Sequence, residues 1–155
     1  MGRHLIALDS YLGPSVGFDY ERAYIKEARR EGAGARCSFF VADATAVALS
    51  RPFDAAICLT NTWGTMGDKS KVIGEMRRLS PNAGTRLITV YTLSSVAARR
   101  EWYANMGHRV LEATDDELIA EGGFSSQHFS ESRLRDLVGP CELHRIGDIA
   151  YVSQF

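Results

Sequence analysis

Strand-like and helix-like segments alternate between residues 15 and 106, and this order constrains the fold more than any other feature. The apolar, strand-like runs are Ser15–Phe18, Cys37–Ala42, Phe53–Leu59 and Thr85–Tyr91. Helical periodicity fills the segments between them, as in Glu21–Arg30, and a turn cluster at Ser80–Gly84 precedes the last run. Such alternation predicts a parallel sheet. Phe53–Leu59 is nearly all apolar, which is typical of a strand covered on both faces.

The pattern changes after Gly107. Two short strands are predicted at Arg109–Ala113 and Glu117–Ala120, a polar loop at Ser125–His128, and a helix from Ser130 to Gly139. The final segments, Glu142–Ile146 and Ile149–Ser153, flank Gly147-Asp148, a favoured two-residue hairpin loop. The chain is therefore predicted to be one α/β domain over residues 1–155. Its architecture is a three-layer sandwich whose mostly parallel sheet ends in an antiparallel strand, with a substrate-side insertion at about 107–139.

Composition excludes several classes of function. The 155 residues are 45% apolar and 24% charged with a net charge of −1, so neither a nucleic-acid partner nor a membrane surface is predicted. No apolar run approaches the roughly 20 residues of a membrane span. The three cysteines, Cys37, Cys58 and Cys141, lack metal-ligand spacing. We therefore expect free thiols in a reducing cytoplasm and no metal site.

A carboxylate follows each of the first two predicted strands. Asp19 ends the run Val16-Gly17-Phe18, and Asp43 follows the run that ends at Ala42. In open α/β sheets ligands bind beyond the carboxyl ends of the strands, where an aspartate can accept hydrogen bonds from both hydroxyls of a ribose. The alternative for Asp19 is a turn residue that caps the following helix.

Four segments together resemble the class I S-adenosylmethionine-dependent methyltransferases, which have a Rossmann-like fold. These segments are Val16–Asp19, Val41–Ala44, Phe53–Ile57 and the Gly147-Asp148 hairpin. The resemblance implies S-adenosylmethionine as cofactor, with Asp19 on the ribose and Asp43 and the Ala44 amide at the adenine. It also implies cofactor contacts from Gly2, Tyr20 and Thr60.

The chain departs from this family at its start. Members begin with a strand that runs into a glycine-rich loop, whereas here Gly2 alone corresponds to the end of that loop. We therefore expect an N-terminally truncated fold with two unpaired interior edges, weak cofactor binding, and association into a homo-oligomer through those edges. One alternative is a non-catalytic binding or assembly module. Another is an NAD-type Rossmann domain, which also has an acid after its second strand.

The resemblance implies that the loop Thr60–Met66 lies beside the transferred methyl group, and a small-molecule acceptor is expected there. Asn61 and Trp63 are the residues chosen from this loop, with a turn-forming residue and a core residue as the respective alternatives. The candidate general bases are His128, Tyr91 and Tyr103. A surface loop histidine is the alternative for His128. The acidic run Asp115–Glu117 fits either a cationic amine substrate or a solvated face.

Overall fold

The computed structural model describes residues 2–81 and 84–155. The chain divides into two compact units, and the boundary in the sequence falls after Leu49. The turn predicted at residues 80–84 lies partly outside the described residues, since 82 and 83 do not belong to them. The prediction of a single domain with an insertion at about 107–139 stays a prediction.

The first unit is a parallel pair of strands with two helices. Its elements are α1 Arg3–Ala7, β1 Ser15–Asp19, α2 Arg22–Glu31 and β2 Cys37–Val41. Glu21 caps α2 by accepting a hydrogen bond from the Ala23 amide at 3.2 Å. Four buried residues of this unit form one small core cluster: Ile25, Ala28, Cys37 and Phe39. Apolar burial against α2 thus holds β1 and β2 in a register that places Asp19 opposite Val41.

The second unit contains seven strands and three α-helices. The strands are β3 Ala55–Cys58, β4 Thr85–Thr92, β5 Val110–Ala113, β6 Glu117–Ala120, β7 Ser125–Phe129, β8 Glu142–Ile146 and β9 Ala150–Gln154. The helices are α3 Lys69–Leu79, α4 Val96–Asn105 and α5 Glu131–Val138. Asp68 and Ser130 cap α3 and α5 by accepting hydrogen bonds from the amides of Lys71 and Arg133. Helix α5 therefore begins where the sequence predicted, after Ser130.

Strand β4 is the centre of the second sheet. The strand order is β5-β6-β7-β4-β9-β8, and β3 also pairs with β4. Strands β3 and β7 run parallel to β4 at different ends, whereas β9 runs antiparallel to it and pairs with β8 as a hairpin. The predicted α/β fold with an antiparallel last strand is confirmed. Strands β5 and β6 add antiparallel pairs, which make the sheet mixed.

The predicted loop at Ser125–His128 is wrong, because these residues form β7. Ser126 and His128 are buried while Ser125 and Gln127 are partly exposed, so residues 125–128 alternate with a period of two. Its inward side chains are polar, and a search for apolar residues therefore misses it. None of the helices in the described ranges is long and apolar enough to span a membrane.

Strands β1 and β3 each pair on one side within the described residues. Strand β1 pairs with β2 and strand β3 pairs with β4. The β3 sequence, Ala-Ala-Ile-Cys, carries no charge, and Ile57 is 41% exposed. Edge strands are usually protected from other chains by charged residues, as β8 is by Glu142, His144 and Arg145. The β3 edge lacks such charges and is therefore suited to pairing with another chain.

We expect the protein to self-associate through the β3 edge. The substitution Ile57→Lys places a charge there and should shift the population toward monomer in light scattering. The control is Ile146→Lys on the charged β8 edge, where the isoleucine is 57% exposed. Equal effects of the two substitutions, or a monomeric wild-type protein, would contradict the assignment.

Candidate functional site

In the first unit, the structure brings Asp19 and Asp43 to the same edge of the sheet. Asp19 is the last residue of β1, and Asp43 follows β2 by two residues. Since β1 and β2 are parallel and paired, both carboxylates lie at their carboxyl ends. The Ala42 amide also donates to the Asp19 carbonyl at 3.0 Å, which continues the pairing one residue past β2. This is the edge where open α/β sheets bind ligands.

Each of these carboxylates is held by a local hydrogen bond. Asp19 Oδ1 accepts from the Glu21 amide at 2.9 Å, which is a turn contact, whereas the residue that caps α2 is Glu21 itself. No partner for the second carboxylate oxygen of Asp19 is found among residues 2–81 and 84–155, which leaves an acceptor for a ligand hydroxyl. Asp43 Oδ1 accepts from both the amide and the hydroxyl of Thr45 at 2.8 Å. These bonds orient both side chains without a ligand.

Three further predicted cofactor contacts belong to this unit. Tyr20 follows Asp19 and is 79% exposed, and Ala44 follows Asp43 and is half-buried. Gly2 has a φ of 73°, and a Cβ there would lie 2.6 Å from Phe39 Cζ. Packing on Phe39 therefore requires a glycine at position 2, independently of any ligand.

In the second unit, the tip of β3 has an unusual backbone. Thr60 and Asn61 are the non-glycine residues with positive φ in the described ranges, at 55° and 57°. Left-handed backbone costs roughly 1–2 kcal/mol per residue, and such conformations cluster at ligand sites. The Thr60 amide donates to Thr89 Oγ1 at 2.6 Å, and the Asn61 amide donates to the Thr89 carbonyl at 3.0 Å. Strand β4 thus holds the turn in place.

The Asn61 side chain connects three strands. It is 2% exposed, and its Oδ1 accepts from the Tyr91 amide at 3.0 Å. Its Nδ2 donates to Ser126 Oγ and to the Gln127 carbonyl, both at 3.0 Å. The carboxamide therefore joins the end of β3 to β4 and β7. Both of its N–H donors are used within the protein, so the direct effect of Asn61 is to position the loop.

Trp63 lies inside the second unit. It has no exposed surface, its ring stacks on Phe129 with centroids 5.3 Å apart, and its Nε1 donates to the Lys69 carbonyl at 3.4 Å. These contacts agree with the core alternative for Trp63. A direct contact with a ligand would require this side chain to move.

A buried polar network, which the sequence did not reveal, surrounds His128. Arg99 of α4 is 2% exposed and donates from Nη2 to the Ser126 carbonyl at 2.8 Å and to Ser126 Oγ at 2.7 Å. Its Nη1 lies 3.3 Å from His128 Nδ1, and Tyr103 donates its hydroxyl to Ser126 Oγ at 3.2 Å. The guanidinium also lies 4.3 Å from the Tyr91 ring centroid. Nothing in the sequence singles out Arg99, because an arginine in the middle of a helix belongs to no recognisable motif.

The network determines the protonation of its members. Burial, followed by the charge of Arg99, lowers the pKa of His128, and hydrogen bonds to the Asp115 and Thr114 backbone only partly oppose this. His128 is 1% exposed rather than the surface residue of the alternative interpretation. A neutral ring can accept from Arg99 at Nδ1, which engages that nitrogen within the protein. Burial also raises the pKa of Tyr91, which keeps its phenol protonated.

Asn61 should be important for stability because its removal leaves the buried Tyr91 amide without an acceptor. The substitution Asn61→Gly retains the left-handed backbone and removes only the carboxamide. We expect the free energy of unfolding in urea to fall by about 1–3 kcal/mol. Thr62→Ala is the exposed neighbouring control. A loss within about 0.5 kcal/mol, the range of surface substitutions, would show that the hydrogen bonds contribute little.

His128 should make stability depend on pH. Because its pKa is lower in the folded than in the unfolded protein, the unfolded chain takes up a proton first as the pH falls. The neutral His128 ring contributes its full stabilisation above about pH 6.5, the ordinary histidine pKa that applies in the unfolded chain. This contribution is lost as the pH falls below that value. Urea unfolding of His128→Gln between pH 7 and 5 should show a weaker loss than wild type. His144→Gln, at an exposed histidine, should keep the wild-type dependence, and an unchanged slope in His128→Gln would contradict the account.

Comparison with known proteins identifies the family. A family model described as a methyltransferase domain matches residues 1–84, which is more than half of the chain. No curated protein sequence matches significantly. The match includes β1, β2 and β3 with both aspartates and the Thr60–Asn61 turn.

Solved structures share the fold at low sequence identity. A protein of Pyrococcus horikoshii is 18% identical with a TM-score of 0.77, over 96% of this chain and 75% of its own. A SAM-dependent methyltransferase of Methanosarcina mazei is 17% identical with a TM-score of 0.66, over 90% of this chain and 80% of its own.

A third solved structure is an amino pentose methyltransferase of Micromonospora echinaspora with SAM bound. It is 14% identical with a TM-score of 0.63, over 99% of this chain and 78% of its own. The likeness extends over the second unit as well, beyond the residues that the family model matches. The chain therefore belongs to the methyltransferase domain family, and its fold is that of the class I S-adenosylmethionine-dependent methyltransferases.

Proposed function

We propose that this protein transfers a methyl group from S-adenosylmethionine to a small molecule in the cytoplasm. The observation that carries the proposal is the pair of carboxylates, Asp19 and Asp43, at the carboxyl ends of paired parallel strands. Family membership supports the reaction class. The amino pentose methyltransferase with the same fold, solved with SAM bound, supports the cofactor.

The residues of the first unit fit the nucleoside part of this cofactor. Asp19 offers a carboxylate oxygen that has no partner among the described residues to the ribose hydroxyls, which are hydrogen-bond donors. Asp43 suits the adenine amino group, another donor, and the Ala44 amide follows it. Tyr20 and Gly2 are proposed as further contacts in this unit, and Thr60 as a contact from the second unit.

The acceptor is proposed to bind in the second unit, at the carboxyl ends of β3 and β4. When bound, S-adenosylmethionine supplies an electrophilic methyl group, and the protein must align the acceptor nucleophile with it. Asn61 fixes the loop that begins at Thr60 and so orients this edge. Among the candidate bases, His128 is buried with its Nδ1 beside Arg99, and Tyr91 keeps its proton. An acceptor that arrives with an unprotonated nucleophile is therefore favoured.

The proposal requires that Asp19 and Asp43 recognise the cofactor. Calorimetric titration with S-adenosylmethionine should show binding weakened by roughly ten- to a hundredfold in Asp19→Asn, the equivalent of about 1–3 kcal/mol. Asp43→Asn should weaken binding in the same way. Glu27→Gln, at a half-exposed acid on α2 that pairs with Arg30, is the control and should leave the affinity unchanged.

Two results of the titration would overturn the proposal. An affinity for S-adenosylmethionine that Asp19→Asn does not change removes Asp19 from the site. Binding of NAD in place of S-adenosylmethionine would favour the dinucleotide-binding alternative, and binding of neither would favour a non-catalytic module.

A further inference from the structure

A small hollow opens at the carboxyl end of the central strand of the second unit. It has a volume of about 170 Å³ and is lined by Tyr91, Ala98, Arg99, Trp102 and Ile149. Tyr91 is the next-to-last residue of β4, and the others come from α4 and from the residue before β9. An apolar cavity of about 150 Å³ holds a benzene molecule, so this hollow has the size for one aromatic ring.

The walls of the hollow suit such a ring. Trp102 and Ile149 are 49% and 42% exposed, which is unusual for large apolar side chains that lie beside each other. Tyr91 contributes an aromatic face, and Ala98 leaves space because its side chain is short. A flat apolar group would cover all four of these side chains.

Arg99 gives the hollow a charge. It is almost completely buried, yet it forms no salt bridge with any carboxylate in the described part of the chain. Its partners are neutral: Ser126, His128 and the rings of Tyr91 and Tyr103. Its Nε is buried and has no hydrogen-bond partner among residues 2–81 and 84–155. Burying an arginine is costly unless its charge is paired and its donors are satisfied, so this guanidinium is suited to an anionic ligand.

We propose that this hollow binds the methyl acceptor, and that the acceptor is an aromatic molecule with a carboxylate that pairs with Arg99. The ring would lie among Tyr91, Trp102 and Ile149, and the carboxylate would supply the missing acceptor and counter-charge. The Nε–H, which has no partner among the described residues, would donate to one carboxylate oxygen in a charge-assisted hydrogen bond. The role as acceptor rests on the proposed function, whereas binding of an aromatic carboxylate does not depend on it.

Benzoate and its neutral analogue benzamide test the proposal on the whole protein without cofactor. The chain has two tryptophans, so indole N–H signals in nitrogen-15 NMR report separately on Trp102 in the hollow and on buried Trp63. Benzoate should shift the Trp102 signal, leave the Trp63 signal in place, and bind at least tenfold more tightly than benzamide. Equal affinities would show that Arg99 does not recognise the charge and would overturn the proposal.

A pair of substitutions on one helix tests the position without disturbing Arg99. Ala98→Met fills the hollow and should reduce the affinity for benzoate at least tenfold. Ala97→Met, at the neighbouring exposed position outside the hollow, should not change it. Benzoate binding that Ala98→Met leaves unchanged would place the ligand elsewhere and overturn the proposal. Because S-adenosylmethionine takes no part, failure of the cofactor titrations leaves this test valid.

Discussion

The hydrogen bonds of the Asn61 carboxamide are the interaction on which the second unit depends most. They connect the end of β3 to the Tyr91 amide of β4 and to Ser126 and Gln127 of β7. The same residue has a left-handed backbone, which the flanking bonds to Thr89 stabilise. Gly64 lies so close to Asn61 that a Cβ there would collide with its carboxamide. One polar side chain thus sets the geometry of the edge where the acceptor is proposed to bind.

The interior next to this edge is polar for a physical reason. Arg99, Ser126, His128 and Tyr103 satisfy most of one another's hydrogen bonds, so β7 can turn serine and histidine inward beside β4. Every partner of the guanidinium is neutral, and the positive charge is therefore not cancelled within the described network. Such a charge in a place of low dielectric attracts an anion strongly. Burial, together with this charge, lowers the pKa of His128, so the ring is neutral and serves as a structural partner of the arginine.

The sequence predicted the elements whose pattern is local. Alternating apolar runs, capping residues such as Ser130, and the Gly147-Asp148 hairpin were enough to place most strands and helices and the antiparallel last strand. Strand β7 was missed because its buried positions hold Ser126 and His128, whose burial depends on Arg99 more than 25 residues earlier in the chain. Arg99 itself was missed because it matters through its burial and through the lack of a carboxylate partner among the described residues. Neither property can be predicted from the spacing of residues in the sequence.

The site was predictable to the extent that it lies at strand ends. Asp19 was identified from its position after an apolar run and Asp43 from the family resemblance, and pairing of β1 with β2 brings them to one edge. The roles given to Asn61 and Trp63 came from the resemblance and that of His128 from its side-chain chemistry, and all three stay predictions. Their burial could not be read from the sequence, since polar and aromatic residues in loops are exposed as often as they are enclosed.

The central claim is that the edge formed by β1 and β2 holds the nucleoside of S-adenosylmethionine. A crystal structure of the protein grown with S-adenosylhomocysteine, the demethylated product of that cofactor, tests this most directly. We predict a ribose whose two hydroxyls lie within hydrogen-bond distance of the Asp19 carboxylate and an adenine beside Asp43. A nucleoside bound away from these two side chains, with Asp19 still bonded only to the Glu21 amide, would contradict the account.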